Sequence, residues 1–183
     1  MPTSLTGKLF ATVGAVLVAL SLAGATAPAL AAGGGASGDT PKCKDGMVYD
    51  KPKGICVKAD SGLDDKYLID QGRAVALAGQ YENALTILAA VNDKTDPILL
   101  TYLGYANRKL GRVDAGIAYY HQALAIDPGN LNTREYLGEG YVAAGRTDLA
   151  VAELNKLEAL CGTGCDQYEQ LELAIAGAPE RWQ

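Results

Sequence analysis

The chain has 183 residues, 49% of them hydrophobic and 20% charged, with 16 basic and 21 acidic side chains, one histidine and four cysteines. That length is one domain's worth of chain beside a targeting segment. An acidic balance without a lysine and arginine cluster excludes nucleic acid and anionic lipid as partners and points to proteins.

Lys8 is the sole charge among the first 31 residues, and residues 9–27 run through apolar and small side chains. A cation, an apolar stretch and the small-residue site Ala29-Leu30-Ala31 form the pattern of a secretory signal, with cleavage predicted after Ala31. A retained membrane anchor is the competing reading, because roughly 20 apolar residues cross a bilayer. Gly14, Gly24, Pro28 and the Ala-Leu-Ala site favour cleavage. Cys43 lies too far downstream to serve as a lipid-acylation site. The remaining 152 residues, with 15 basic and 21 acidic side chains, are expected in the periplasm or outside the cell, free of the membrane. In such an oxidising compartment an even number of cysteines reads as disulfides.

Residues 32–40 are mostly Gly, Ala and Ser and read as a flexible leader. In residues 41–59, Met47-Val48-Tyr49 and Ile55-Cys56-Val57 flank the turn formers of residues 50–54, which predicts a β-hairpin. An isolated hairpin is marginal in water. Closure of Cys43 to Cys56 would restrict the unfolded chain by on the order of 3 kcal/mol. The unit reads as a stapled cap ahead of the following helices or, through Tyr49, as a knob for a ligand such as a glycan; a lone tyrosine favours the cap.

The rest of the chain repeats. Gly72, Gly104 and Gly138 recur at steps of 32 and 34 residues, each followed seven residues later by Gly79, Gly111 or Gly145. Each pair predicts a helical hairpin. The first glycine lets the second helix approach, and the second glycine ends the first helix with left-handed backbone geometry. Ala84, Gly116 and Ala150 follow as small residues, with Leu88, Tyr120 and Leu154 as bulk four residues later on the same face. Asp96-Pro97 predicts a helix start and residues 127–130 a stop. Helices are expected near 65–78, 81–92, 97–110, 113–126, 131–144 and 147–160.

These residues resemble the tetratricopeptide repeat (TPR) family over residues 65–164. The second repeat carries the resemblance through Leu103, Gly104, Gly111, Tyr120, Ala123 and Pro128. The third carries it through Leu137, Gly138, Tyr141, Gly145 and Ala150, and the first through Gly72, Gly79, Tyr81 and Ala84. Gly116 and Asn107 depart from the family pattern and are expected to loosen the second repeat. The fold expected is thus all-α: three TPR helical hairpins and a capping helix at 165–177, preceded by the disulfide-closed hairpin, with a loose tail at 178–183.

Cys161-Gly162-Thr163-Gly164-Cys165 reads as a staple between the third repeat and its cap, because the two glycines end the helix and let the sulfurs meet. A redox pair would prefer a two-residue spacer and a stabilised thiolate, whereas Cys161 sits at a helix C-terminus. His121, the sole histidine, reads as a surface residue, which leaves no metal ligand set. Asp64-Asp65 reads as helix-start charge, and no catalytic constellation or cofactor motif is present in the sequence. The reading is a non-enzyme.

The TPR resemblance implies a scaffold that holds a protein segment in a concave groove lined by the first helix of each repeat. Helical spacing assigns Ile69, Arg73 and Ala76, then Thr101, Tyr105 and Arg108, then Glu135, Glu139 and Val142 to that lining. Arg73 and Arg108 would make one end basic, and Glu135 and Glu139 the other end acidic. Those glutamates argue against the family's chaperone-carboxylate specialisation. The alternative is an envelope thiol-redox or soft-metal protein acting through Cys161 and Cys165. The partner's identity and the oligomeric state are not read from the sequence.

Overall fold

The computed structural model describes residues 43–60 and 62–177. The predicted signal at 1–31, leader at 32–40 and tail at 178–183 lie outside the described residues. Strands β1 (Met47–Asp50) and β2 (Ile55–Lys58) come first. Seven helices follow: α1 (Asp65–Leu77), α2 (Tyr81–Ala89), α3 (Pro97–Lys109), α4 (Val113–Ile126), α5 (Leu131–Ala143), α6 (Thr147–Cys161) and α7 (Asp166–Ile175). None of the described helices is long and apolar enough to cross a membrane.

β1 and β2 pair antiparallel with Tyr49 opposite Cys56. The turn forms because the buried Asp50 carboxylate takes Lys53 Nζ at 2.8 Å, and Gly54, at φ +69°, closes its N–H onto the Asp50 carbonyl. Lys53 holds the Asp50 carboxyl below its ordinary value. Cys43 and Cys56 are bonded, with Cα atoms 5.7 Å apart. The hairpin does not project as a knob. Val48 is buried with Leu68, Ile87, Leu88 and Val91 in one core, Gly46 N–H donates to Asn83 Oδ1 at 2.7 Å, and the Tyr67 hydroxyl donates to the Tyr49 carbonyl.

Each helical hairpin forms for the reasons written in its sequence. Asp64 caps α1 through Tyr67 N–H, Asp96 caps α3 through Ile98 and Leu99, and Asn130 caps α5 through Thr133, satisfying first-turn donors that have no partner within the helix. Gly79, Gly111 and Gly145 stand at φ +80°, +80° and +70° just past α1, α3 and α5. α2 stops at Ala89, three residues short of the expected end, because Asp65 pulls the next turn onto α1. Its carboxylate accepts Asn92 N–H at 2.8 Å and Asp93 N–H at 2.9 Å. These amides hold the Asp65 carboxyl below its ordinary value.

Gly104 and Gly116 face each other where α3 crosses α4. A Cβ on Gly116 would stand 2.8 Å from the Gly104 carbonyl oxygen and 3.0 Å from Arg108 Cβ. Gly116 therefore tightens the second repeat, contrary to the loosening expected, because even alanine would push the two backbones apart. Asn107 is also accommodated: it donates to the Leu103 carbonyl at 2.8 Å and accepts from Arg112 at 3.3 Å.

The third repeat closes differently. Leu154 is half-buried, and the space beside Gly138 is filled by Leu171 of α7. A disulfide joins Cys161, the last residue of α6, to Cys165, the N-cap of α7.

Candidate protein-binding groove

α1, α3 and α5 are the first helices of the three hairpins, and α3 touches both of the others. Of the nine residues assigned to the groove, seven are buried: Ile69, Ala76, Thr101, Tyr105, Arg108, Glu135 and Glu139. Val142 is half-buried and Arg73 exposed. Ile69 and Ala76 belong to the apolar core beneath α1. Thr101 faces inward to α5, its hydroxyl 2.6 Å from that of Thr133 and 2.7 Å from the Pro97 carbonyl.

The expected basic and acidic ends are not two separate charges awaiting a partner. Arg108 of α3 pairs with Glu139 of α5, both nearly enclosed, and Arg108 Nε lies 3.4 Å from the Tyr120 hydroxyl. Helical spacing assigned both side chains to the open lining of the groove, whereas they are buried against each other. Spacing does not distinguish the part of a helix face covered by the next hairpin from the part left open.

Aromatic rings fill the space around this pair. Tyr105 meets Tyr81, Tyr102 and Tyr136 with ring centres 6.2, 6.3 and 5.1 Å apart, and Tyr136 reaches Tyr120 at 6.3 Å. Burial raises the phenol pKa of Tyr102, and does so strongly for Tyr120 and Tyr136. The guanidinium of Arg73 lies over the Tyr102 ring, 5.6 Å from its centre, a cation–π geometry.

An open cleft of about 100 Å³ remains, lined by Arg73, Ile98, Thr101, Tyr102, Asn130 and Asn132. It joins α1, α3 and the start of α5. Tyr102 lies one residue beside the stripe assigned on α3, a rotation of about 100° about the helix, whereas Ile98 and Asn132 stand three residues before Thr101 and Glu135 and extend the assigned stripes toward the helix starts. The clustering of tyrosines at 102, 105 and 136 was the signal available for this face.

Elsewhere, His121 is exposed, with Nε2 2.9 Å from the Tyr141 hydroxyl. Among the described residues there is no group of three or more His, Cys, Asp or Glu side chains placed to hold a metal ion. Tyr49 lies in a crevice of about 220 Å³ between β1, α1 and α2, beside Met47, Gln71 and Asn83.

Residues 107–160, from the end of α3 through almost all of α6, match the family model described as Tetratricopeptide repeat. No curated protein and no solved structure matches the chain.

Proposed function

We propose that this chain, a tetratricopeptide-repeat protein as the match over residues 107–160 supports, is a non-enzymatic scaffold of the cell envelope that holds a segment of a partner protein along α1, α3 and α5. The observation that supports this is the cleft where those three helices meet, with Arg73 exposed at its edge, Ile98 47% exposed beside it, and the Asn130 and Asn132 amides opposite. Such a surface takes an acidic side chain against Arg73 and an aliphatic one against Ile98.

Two disulfides and a sequence that starts like a secretory signal support an oxidising compartment. The four cysteines are bonded in two pairs, Cys43–Cys56 and Cys161–Cys165, and the alternative, a thiol-redox or soft-metal protein, would act through the second pair once reduced. The test is crosslinking capture of partners from an envelope fraction by the wild-type chain and by Arg73→Glu. The variant should retain its melting temperature, since Arg73 is exposed, and lose most of the captured partner. Equal capture by Arg73→Glu, with loss on Tyr49→Ala, would move the site to the hairpin crevice.

A further inference from the structure

Between the hairpin and the first two helices lies a crevice of about 220 Å³, larger than the cleft of about 100 Å³ between α1, α3 and α5. The two share no residue. α1 leaves the room because it presents Ala74 and Ala78 there, four residues apart and so on one face. β1, which forms another wall, is fixed in place. Gly46 N–H donates to Asn83 Oδ1 at 2.7 Å, and the Cys43–Cys56 bond ties down Cys43, which lines the space.

Two properties of the lining select a ligand. No acidic or basic side chain takes part, so an ion entering would lose its water without a counter-charge to receive it. Three carboxamides do take part: Gln71 of α1, Gln80 at the N-cap of α2, and Asn83 of α2. Asn83 is 6% exposed. Because its Oδ1 serves the Gly46 N–H, its amide nitrogen is turned to Gln80 Oε1, 3.2 Å away. Among the described residues the second N–H of Asn83 and both of Gln80 stay unspent, and the half-buried Gln71 carboxamide has no hydrogen-bond partner. The rest of the lining is largely apolar, with Val48 and Ile87 buried and Val75 half-buried.

We propose that this crevice is a binding site for one uncharged sugar unit. A sugar ring carries C–H groups on its faces and hydroxyls around its rim, and each hydroxyl both donates and accepts. A carboxamide, with N–H and C=O side by side, matches such hydroxyls, and the aliphatic side chains take the C–H face. The volume sets the size: it lies below the roughly 300 Å³ at which pockets for drug-sized ligands begin, so it takes a single unit rather than a chain. A neutral peptide is the other uncharged candidate, and it would dock by adding a strand to a free sheet edge. β1 already spends its Met47 N–H on the Lys44 carbonyl and its Tyr49 carbonyl on the Tyr67 hydroxyl.

The test is titration of the isotope-labelled full chain, followed by NMR at the side-chain amides of Gln71 and Asn83. Glucose, galactose and N-acetylglucosamine are the neutral sugar probes, glucosamine in its ammonium form is the charged one, and N-acetyl-dialanine methylamide stands for peptide. At least one neutral sugar should shift both amides saturably, and glucosamine should not. Gln71→Leu and Ala74→Phe should each weaken that sugar's binding about tenfold or more, one by removing an amide and the other by filling the space. Both should keep the wild-type melting temperature, since Gln71 makes no side-chain bond and Ala74 is exposed. No saturable shift with any neutral sugar overturns the site, as does a response to the dipeptide alone. Equal binding of glucosamine overturns the selection against charge, and sugar binding unchanged in Gln71→Leu places the sugar elsewhere.

Discussion

A guanidinium and a carboxylate each lose several kcal/mol of solvation when taken out of water, so a buried pair holds its place only while both partners are present. The side chains of Arg108 and Glu139 are 5% and 10% exposed, and Arg134 and Glu153 form a second such pair at 2.7 Å. Arg108→Glu alone sets two carboxylates against each other at the α3–α5 contact, and Glu139→Arg alone sets two guanidiniums there. Each should cost about 3–5 kcal/mol, and the double exchange should recover much of that loss. Thermal melts by circular dichroism decide: single variants that melt with the wild type would mean that the pair is solvated. Charge changes at these positions are therefore stability variants, and Arg73 is the position at which binding is read separately from folding.

At the scale of elements, the crossings are set by what each glycine admits. Gly104→Leu and Gly138→Leu should each lower stability by about 1–3 kcal/mol or more through overpacking. The neighbours differ, however: Gly104 faces Tyr120 and the Gly116 carbonyl, whereas Gly138 faces Leu171 alone among its nearest atoms. Adding Leu171→Ala should thus rescue part of the Gly138→Leu loss and none of the Gly104→Leu loss, a non-additivity expected of residues in contact. Equal behaviour of the two double variants would show that α7 does not occupy the Gly138 space. Helix starts, helix stops and the periodicity of the small residues are local properties and were legible in the chain. Which helix fills the third seat was not, because Leu154 and Leu171 both present a leucine on an amphipathic helix, and only the path of the chain after Cys161 selects between them.

Over the whole molecule, tyrosines connect the repeats. Tyr81, Tyr105, Tyr136 and Tyr120 run in ring contact from α2 through α3 and α5 to α4, and burial keeps the phenols of Tyr120 and Tyr136 protonated well above their ordinary range. In the unfolded chain these phenols ionise near pH 10. Because the folded pKa is raised, their contribution to stability is complete below that pH and is lost as pH rises from it toward the folded value. Alkaline titration followed by phenolate absorbance and helix content should give one cooperative step above about pH 10. Phenolate formation by these side chains with helix content intact would contradict their burial.

The sequence by itself determined what depends on neighbours a few residues away. Among the described residues this covers the seven helices and one hairpin, the helix starts at Asp64 and Asp96, the glycine stops, and the pairing of Cys43 with Cys56 and Cys161 with Cys165, while Asn130, read as part of a stop, is the cap of α5. Helical spacing assigned Thr101, Tyr105, Arg108, Glu135 and Glu139 to the lining of an open groove, and all five are buried. Tertiary structure decided which residues remain at the surface. Stacking one hairpin on the next covers most of each inner face, buries Arg108 against Glu139, and leaves Arg73, Ile98 and Asn132 at the opening. That outcome depends on interhelical distances set by glycines 32 and 34 residues apart in the chain, and a periodicity read along one helix carries no information about how closely the next will lie.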